Sequence, residues 1–301
     1  SATRIDRAGL IVKGRENLLL QSNQFDTTWN TYNTSRTSGA ADFDGNNNAW
    51  TLAKTGSYGL INQYIANTGV HTFSIYFKAG SLDWVALTTS QAPYSAAYFD
   101  LANGVVGSLV NAIDSNIESV GGGWYRCSLT SNVTAAGNWR IYPADSDGGL
   151  SNANLGDIII YKSQLELGLA ASPYIPTTTT TAQAGVLENT PRLNYTTGVA
   201  NPYLLLEPSR TNLVPYSEYF DVWNQIQNVT LTANSIISPS GESDGTKFLS
   251  TTGSSKVRNN FSAVSGTTYT LSVYCKNIDA TFVRLLAYDG LSEFSAIVTS
   301  E

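Results

Sequence analysis

The run Thr72-Phe73-Ser74-Ile75-Tyr76-Phe77-Lys78 decides the fold. Phe73, Ile75 and Phe77 share one side of an extended chain, and Ser74, Tyr76 and Lys78 the other. Strict alternation of this length is the pattern of a half-buried β-strand. The run returns 198 residues later as Thr270-Leu271-Ser272-Val273-Tyr274-Cys275-Lys276. Its surroundings return as well. Upstream, Arg15-Glu16-Asn17-Leu18 leads to Phe25-Asp26 and Trp29-Asn30, and Arg210-Thr211-Asn212-Leu213 leads to Phe220-Asp221 and Trp223-Asn224. Asn17 to Asn212 and Phe25 to Phe220 are both 195 residues apart. Leu52 and Gly56 match Leu249 and Gly253 at 197, and Trp84-Val85 match Phe282-Val283 at 198. The offset drifts only in Gly/Ser/Asn-rich loops, where insertions are tolerated. Blocks repeated in order at a fixed period mean a modular architecture.

The reading outward from that strand is β throughout. Val85 and Leu87, residues 94–101, Tyr125 with Cys127 and Leu129, residues 139–142 and residues 157–161 supply further short strands. Gly121-Gly122-Gly123 breaks the chain between two of them, and no segment has a 3.6-residue period. Many short strands about ten residues apart indicate a sandwich or barrel. The expectation is an all-β chain of tandem jelly-roll-like sandwiches. Residues 1–14 form an extended lead-in, 15–169 a first module, 170–209 a Thr/Pro-rich linker and second lead-in, and 210–301 a second module cut short. The linker contains Pro173, Pro176 and five threonines at 177–181, and is expected to be extended and poorly packed. Leu187, Leu193, Tyr195 and the leucines at 204–206 are expected to face a neighbouring module or subunit.

Composition narrows the function. The chain has 301 residues, about two domains' worth, and only 13% are charged. With 42% hydrophobic and 11% aromatic residues it has enough apolar area for a core, so it is not disordered. A net charge of -6 argues against a nucleic-acid partner, which needs a basic face. No stretch approaches 18 apolar residues, so no membrane span is expected. The two cysteines, Cys127 and Cys275, fall at non-equivalent places in the repeat and are expected to be small buried apolar residues.

Several motifs carry a resemblance. Gly123-Trp124-Tyr125-Arg126-Cys127-Ser128 resembles the GWYRCS run of a module common in tailed-phage fibre, spike and head-fibre proteins. Gln164-Leu165-Glu166-Leu167-Gly168, then Ser172-Pro173-Tyr174-Ile175-Pro176-Thr177, resembles the closing segment of the same module. Arg210-Thr211-Asn212-Leu213 through Ser217-Glu218-Tyr219-Phe220 resembles its opening, and Pro191-Arg192-Leu193-Asn194-Tyr195 the segment that often precedes it. The resemblance implies a jelly roll similar to carbohydrate-binding modules. It implies a structural and adhesive virion-surface protein, on tail or head, that binds host-surface glycans. Its expected partners are other virion proteins, copies of itself (a trimer among the options) and host polysaccharide. The alternative is a secreted carbohydrate-binding module appended to a polysaccharide-degrading enzyme.

The residues offer little catalytic chemistry. His71 is the only histidine, at a strand start, so a Ser-His-Asp triad is not expected. No His/Cys cluster suggests zinc. Asp42/Asp44 and Asp145/Asp147 are the close acid pairs, in Gly/Asn/Ser-rich loops. They read as turn residues, as weak oxygen ligands for a structural Ca²⁺, or least of all as a glycosidase pair. On these grounds the chain is expected to be no enzyme and to need no cofactor. The more informative set is the outward face. If Phe73, Ile75 and Phe77 point inward, alternation turns Tyr76, Lys78, Trp84, Trp124 and Arg126 outward. Rings and cations on a sheet face suit a sugar, which needs flat stacking surfaces and polar groups for its hydroxyls. The competing reading is that these aromatics pack against loops, the lead-in or another subunit.

Overall fold

A computed structural model describes residues 3–6, 8, 10–91, 93–151, 154–186, 191–197, 199–206, 211–280, 282–288 and 293–299. Leu187, Glu207 and Arg210 lie outside these. The chain forms two compact units, Ser1–Asn259 and Asn260–Glu301. The described residues are almost entirely strand and turn, with a single 3-10 turn at Phe220–Val222.

Twelve strands of the first unit build a sandwich. They are β1 (Asn30–Tyr32), β2 (Thr34–Ala40), β3 (Ala49–Lys54), β4 (Leu60–Ile65), β5 (Gly69–Ala79) and β6 (Trp84–Thr89). The others are β7 (Ala96–Asp100), β8 (Val105–Val110), β9 (Asp114–Gly121), β10 (Trp124–Val133), β11 (Gly137–Ala144) and β12 (Gly156–Leu167). Two six-stranded sheets result, ordered β8-β7-β6-β11-β4-β1 and β9-β10-β5-β12-β3-β2. The described pairings are all antiparallel. Successive strands cross between the sheets so that β12 returns between β3 and β5, and β11 between β4 and β6. That double Greek key is a jelly roll.

Strand β5 sits where its sequence pattern demands. It is flanked by β10, pairing Ile75 with Cys127, and by β12, pairing Phe77 with Ile160. Its inward Phe73, Ile75 and Phe77 meet Val85, Leu87, Phe99, Trp139 and Ile141 of the facing sheet, all inaccessible to solvent. The three glycines at 121–123 all have positive φ, which is why they form the β9–β10 turn. Cys127 is buried in the core, as expected. Cys275, by contrast, is exposed, and both thiols are free.

The opening phrase and the closing segment are sewn together. Arg15–Asn17 pairs with Ala182–Ala184. Asn17 is fully buried; its amide donates to the carbonyls of Ser163 (3.2 Å) and Ile175 (2.8 Å), and its oxygen accepts from the Leu165 and Leu19 amides. The Ser22 hydroxyl accepts from the Thr177 amide at 2.9 Å and shares a bond with the Tyr174 hydroxyl at 2.6 Å. The Glu166 carboxylate accepts from Gln164, from the Ser172 amide (2.8 Å) and from the Ser172 hydroxyl (2.6 Å). A segment expected to pack poorly therefore buries Ser172, Ile175 and Thr177. Buried side-chain amides and carboxylates supply the backbone partners that a proline-bearing stretch cannot find in a ladder. From the phrase itself Leu18, Leu19, Phe25 and Trp29 enter the core, Leu19 being fully buried.

The second copy keeps the local geometry. Gln225–Gln227 pairs with Lys256–Arg258, and Val229–Ile236 with Gly245–Ser250, as β1 pairs with β4 and β2 with β3. Leu231 faces Phe248 as Arg36 faces Leu52, so Leu52 corresponds to Phe248, one residue before the match read from sequence. A one-residue slip exchanges the two faces of a strand, and only the ladder settles it. The expected strand at 270–276 is not formed. In the first copy its counterpart is central, and it takes hydrogen bonds from a neighbour on each side. Among the described residues, unit Asn260–Glu301 carries one hairpin, Phe282–Tyr288 with Glu293–Thr299.

Candidate functional site

The five residues expected to form one face do not do so. Tyr76, Lys78, Trp124 and Arg126 project from the outer side of the β5–β10 sheet, where Trp124 is in register with Lys78 and Arg126 with Tyr76. Trp84 belongs to β6, in the other sheet, so it projects from the opposite side of the sandwich. Alternation tells which way a side chain points relative to its own strand, not which sheet holds the strand.

Two of the four, Tyr76 and Trp124, are covered. The β2–β3 loop folds back and lays Phe43 on them, 4.8 Å from the Tyr76 ring, 5.8 Å from Trp124 and 5.3 Å from Tyr161. Trp124 retains 2% of its surface. The loop is pinned by the acids once weighed as metal ligands. Asp42 accepts from the amides of Asp44, Asn46 and Asn48. Burial pushes its pKa up, but those backbone donors outweigh burial and hold it below the usual range. Asp44 accepts from the Tyr161 hydroxyl at 2.9 Å and from Lys162 at 2.6 Å. The Lys162 ammonium also lies over the Phe43 and Tyr161 rings, at 5.0 and 4.7 Å. Arg126 stacks on Tyr76 and donates to the Ser172 carbonyl, holding the closing segment down.

The second acid pair is also in structural use. Asp145 forms a buried ion pair with Lys54 at 3.1 Å. Asp147 accepts from the Ser108 amide and hydroxyl at 2.8 and 2.9 Å. These carboxylates serve separate partners and do not converge. Among the described residues, no three His, Cys, Asp or Glu side chains gather around one point. His71 is buried with its Nδ1 3.0 Å from the Gly69 carbonyl and its ring 5.8 Å from Trp139; burial lowers its pKa.

The other sheet presents what the sequence reading missed. On its outer side, Arg140 of β11 stands in register with Asn62 of β4 and Thr88 of β6. The Tyr142 phenol lies near both Arg140 and Thr88, and that of Tyr94 near Tyr98. Burial raises the pKa of Tyr94 and Tyr142, partly offset by the Arg140 charge, so all these phenols are neutral hydroxyls at physiological pH. Ala86 and Ala96 form a buried floor beside Tyr98 and Tyr142. Around it stand Tyr64 (62% exposed), Tyr32 (58%) and Tyr94 (40%). Trp84 closes one end, packed so tightly against β8 that a Cβ on Gly107 would sit 2.7 Å from its ring. The pattern was available in part: Trp139 and Ile141 take alternate places and leave Arg140 outward, whereas in Leu60–Ile65 the inward place between Ile61 and Ile65 is held by Gln63.

A scan against family models finds no match, and no curated protein matches. Among solved structures the chain is similar to the enzymatically active domain of tailspike protein 4 of bacteriophage CBA120. The match has a TM-score of 0.28 and 12% identity, and covers 50% of this chain and 21% of that one. It corrects one expectation. A structure described as enzymatically active is among those this chain resembles, so the lack of a histidine triad or close acid pair is no ground for calling the chain a non-enzyme. A likeness this slight assigns no activity either.

Proposed function

We propose that the chain is a surface protein of a tailed-phage virion, on tail or head, whose first sandwich is an adhesive module for host-surface glycans. The observation that carries the glycan reading is the open tyrosine face of the β4, β6, β7 and β11 sheet. Tyr32, Tyr64 and Tyr94 offer exposed rings for the C–H faces of pyranoses, while Asn62, Asn138 and Arg140 offer donors for hydroxyls. The face expected from sequence is unsuitable, because Phe43 and the β2–β3 loop occupy it. The virion reading is supported by how the resembling motifs are used. Arg126, Gln164, Glu166, Ser172 and Thr177 are spent on closing the fold, so the resemblance is to residues that build this module. Binding is non-covalent in this reading, and its partners are other virion proteins and copies of the chain.

A glycan array tests the reading. Binding is expected for the full chain, reduced by Tyr64→Ala and by Tyr94→Ala, and unchanged by Phe43→Leu on the covered face. Binding that survives both tyrosine replacements would remove the face from consideration. Light scattering on the same samples reports self-association, and a mass above that of one chain is expected.

A further inference from the structure

We infer that this face selects acidic, carboxylate-bearing glycans and that Arg140 is the selecting residue; the inference rests on the reading of the face as a sugar site. The first observation is how several other cations of this unit are used. Lys54 is paired with Asp145, Lys162 with Asp44, Lys13 with Glu218 and Arg15 with Glu242. Arg36 and Arg126 each donate to a backbone carbonyl. Arg140 differs. It is half-buried, and among the described residues no carboxylate lies within ion-pairing distance of it. Its neighbours are phenols and amides: Tyr142 two places along the same strand, Tyr94 within its field, Asn62 beside it in register.

The second observation is where the acids of the same face lie. Asp100 and Asp147 belong to the Trp84 end, and both are already bonded. Asp100 accepts from Ala102 and from the Asn103 amide and side chain; Asp147 accepts from Ser108. The face is thus polarised along its length, acidic near Trp84 and cationic at Arg140, in a chain whose net charge is -6. A guanidinium matches a carboxylate with two parallel hydrogen bonds, and such charge-assisted pairs are about twice as strong as neutral ones. A uronic or ulosonic acid residue could place its carboxylate on Arg140 and its ring on Tyr64 or Tyr94.

The test uses the full chain, a panel of carboxylated bacterial polysaccharides, and the same polymers after carboxyl reduction. A sulfated dextran serves as a charged polymer without carboxylates. The expected result is that carboxyl reduction and Arg140→Gln each weaken binding about tenfold, the scale of one charge-assisted contact. Arg140→Lys should restore part of the loss, and sulfated dextran should bind more weakly than the carboxylated polymers. The melting temperature of each variant checks that the sheet is intact. Equal binding before and after reduction, or an Arg140→Gln protein that folds and binds normally, overturns the selection by Arg140. In that case loss of binding in Tyr64→Ala keeps the sugar face itself. If no glycan of either kind binds, the parent reading falls and takes this one with it.

Discussion

The two copies of the repeat share geometry and differ in burial. In both, an asparagine opens the second strand with positive φ, Asn33 and Asn228, and its amide donates to a carbonyl across the hairpin, that of Ser57 or Gly253. In both, a tryptophan indole donates to a left-handed residue earlier in the phrase, Trp29 to Gln21 and Trp223 to Tyr216. Phe25 and Phe220 tilt against their tryptophans at 5.2 and 4.8 Å. Yet Leu18 is buried, whereas its counterpart Leu213 is 45% exposed. Turn type, register and indole contacts are written locally. Burial needs the strands that arrive a hundred residues later, here β10, β11 and β12.

Matched substitutions break or sharpen that comparison. The widest gap is expected for phenylalanine. Phe25→Ala should destabilise the first copy by about 3–5 kcal/mol, a core cavity, and Phe220→Ala the second by roughly 1 kcal/mol. Equal shifts in chemical denaturation would mean that the copies share one core. Next comes the asparagine of the phrase. Asn17→Ala strips four buried backbone groups of a partner and should cost about 2–4 kcal/mol, while Asn212→Ala, which frees only the Val214 amide at the surface, should cost about 0.5 kcal/mol or less. Smaller and equal in both copies should be the turn. Asn33→Ala and Asn228→Ala should each cost about 1–2 kcal/mol, the penalty of a side chain in the left-handed region, and glycine at either site should restore most of it.

Much of the fold was legible because alternation and repetition are local signals. Phe73, Ile75 and Phe77 told their side of β5, and the ordered blocks told the modular plan. The closing segment was misjudged because its partners, Asn17 and Ser22, lie some 150 residues upstream. The outward aromatic face was misjudged for two physical reasons. Period-2 reasoning cannot say that Trp84 and Trp124 lie in different sheets. Nor can it foresee a bulge: the β5–β12 register shifts between Tyr161 and Gln164, with Lys162 at positive φ, so both flanking residues project outward. Phe43 gave no periodic sign that its loop would fold over Trp124.

The smallest contrast is one of acidity. His71 is buried in the first copy, and its counterpart at the 198-residue offset is Tyr269, which has no imidazole. Burial holds the imidazole pKa below 6.5, so the unfolded chain takes up a proton first as pH falls. The stability of the first copy should be full above about pH 6.5 and decline as pH drops toward the folded pKa. His71→Phe should flatten that decline in pH-dependent melting curves. A slope that persists unchanged would assign it to the carboxylates.

The pairing of Arg15–Asn17 with Ala182–Ala184 sets how the first sandwich carries a load. Because the two short strands run antiparallel, with Arg15 opposite Ala184, the chain enters and leaves at adjacent points. A pull on the two ends opens this pair from the Arg15–Ala184 side, one rung at a time, and does not shear its rungs together. The zipper stops at Asn17, where four bonds to buried backbone resist at once. The buried asparagine of a phrase written twice thus becomes the latch that separates an elastic tether from a rigid bead.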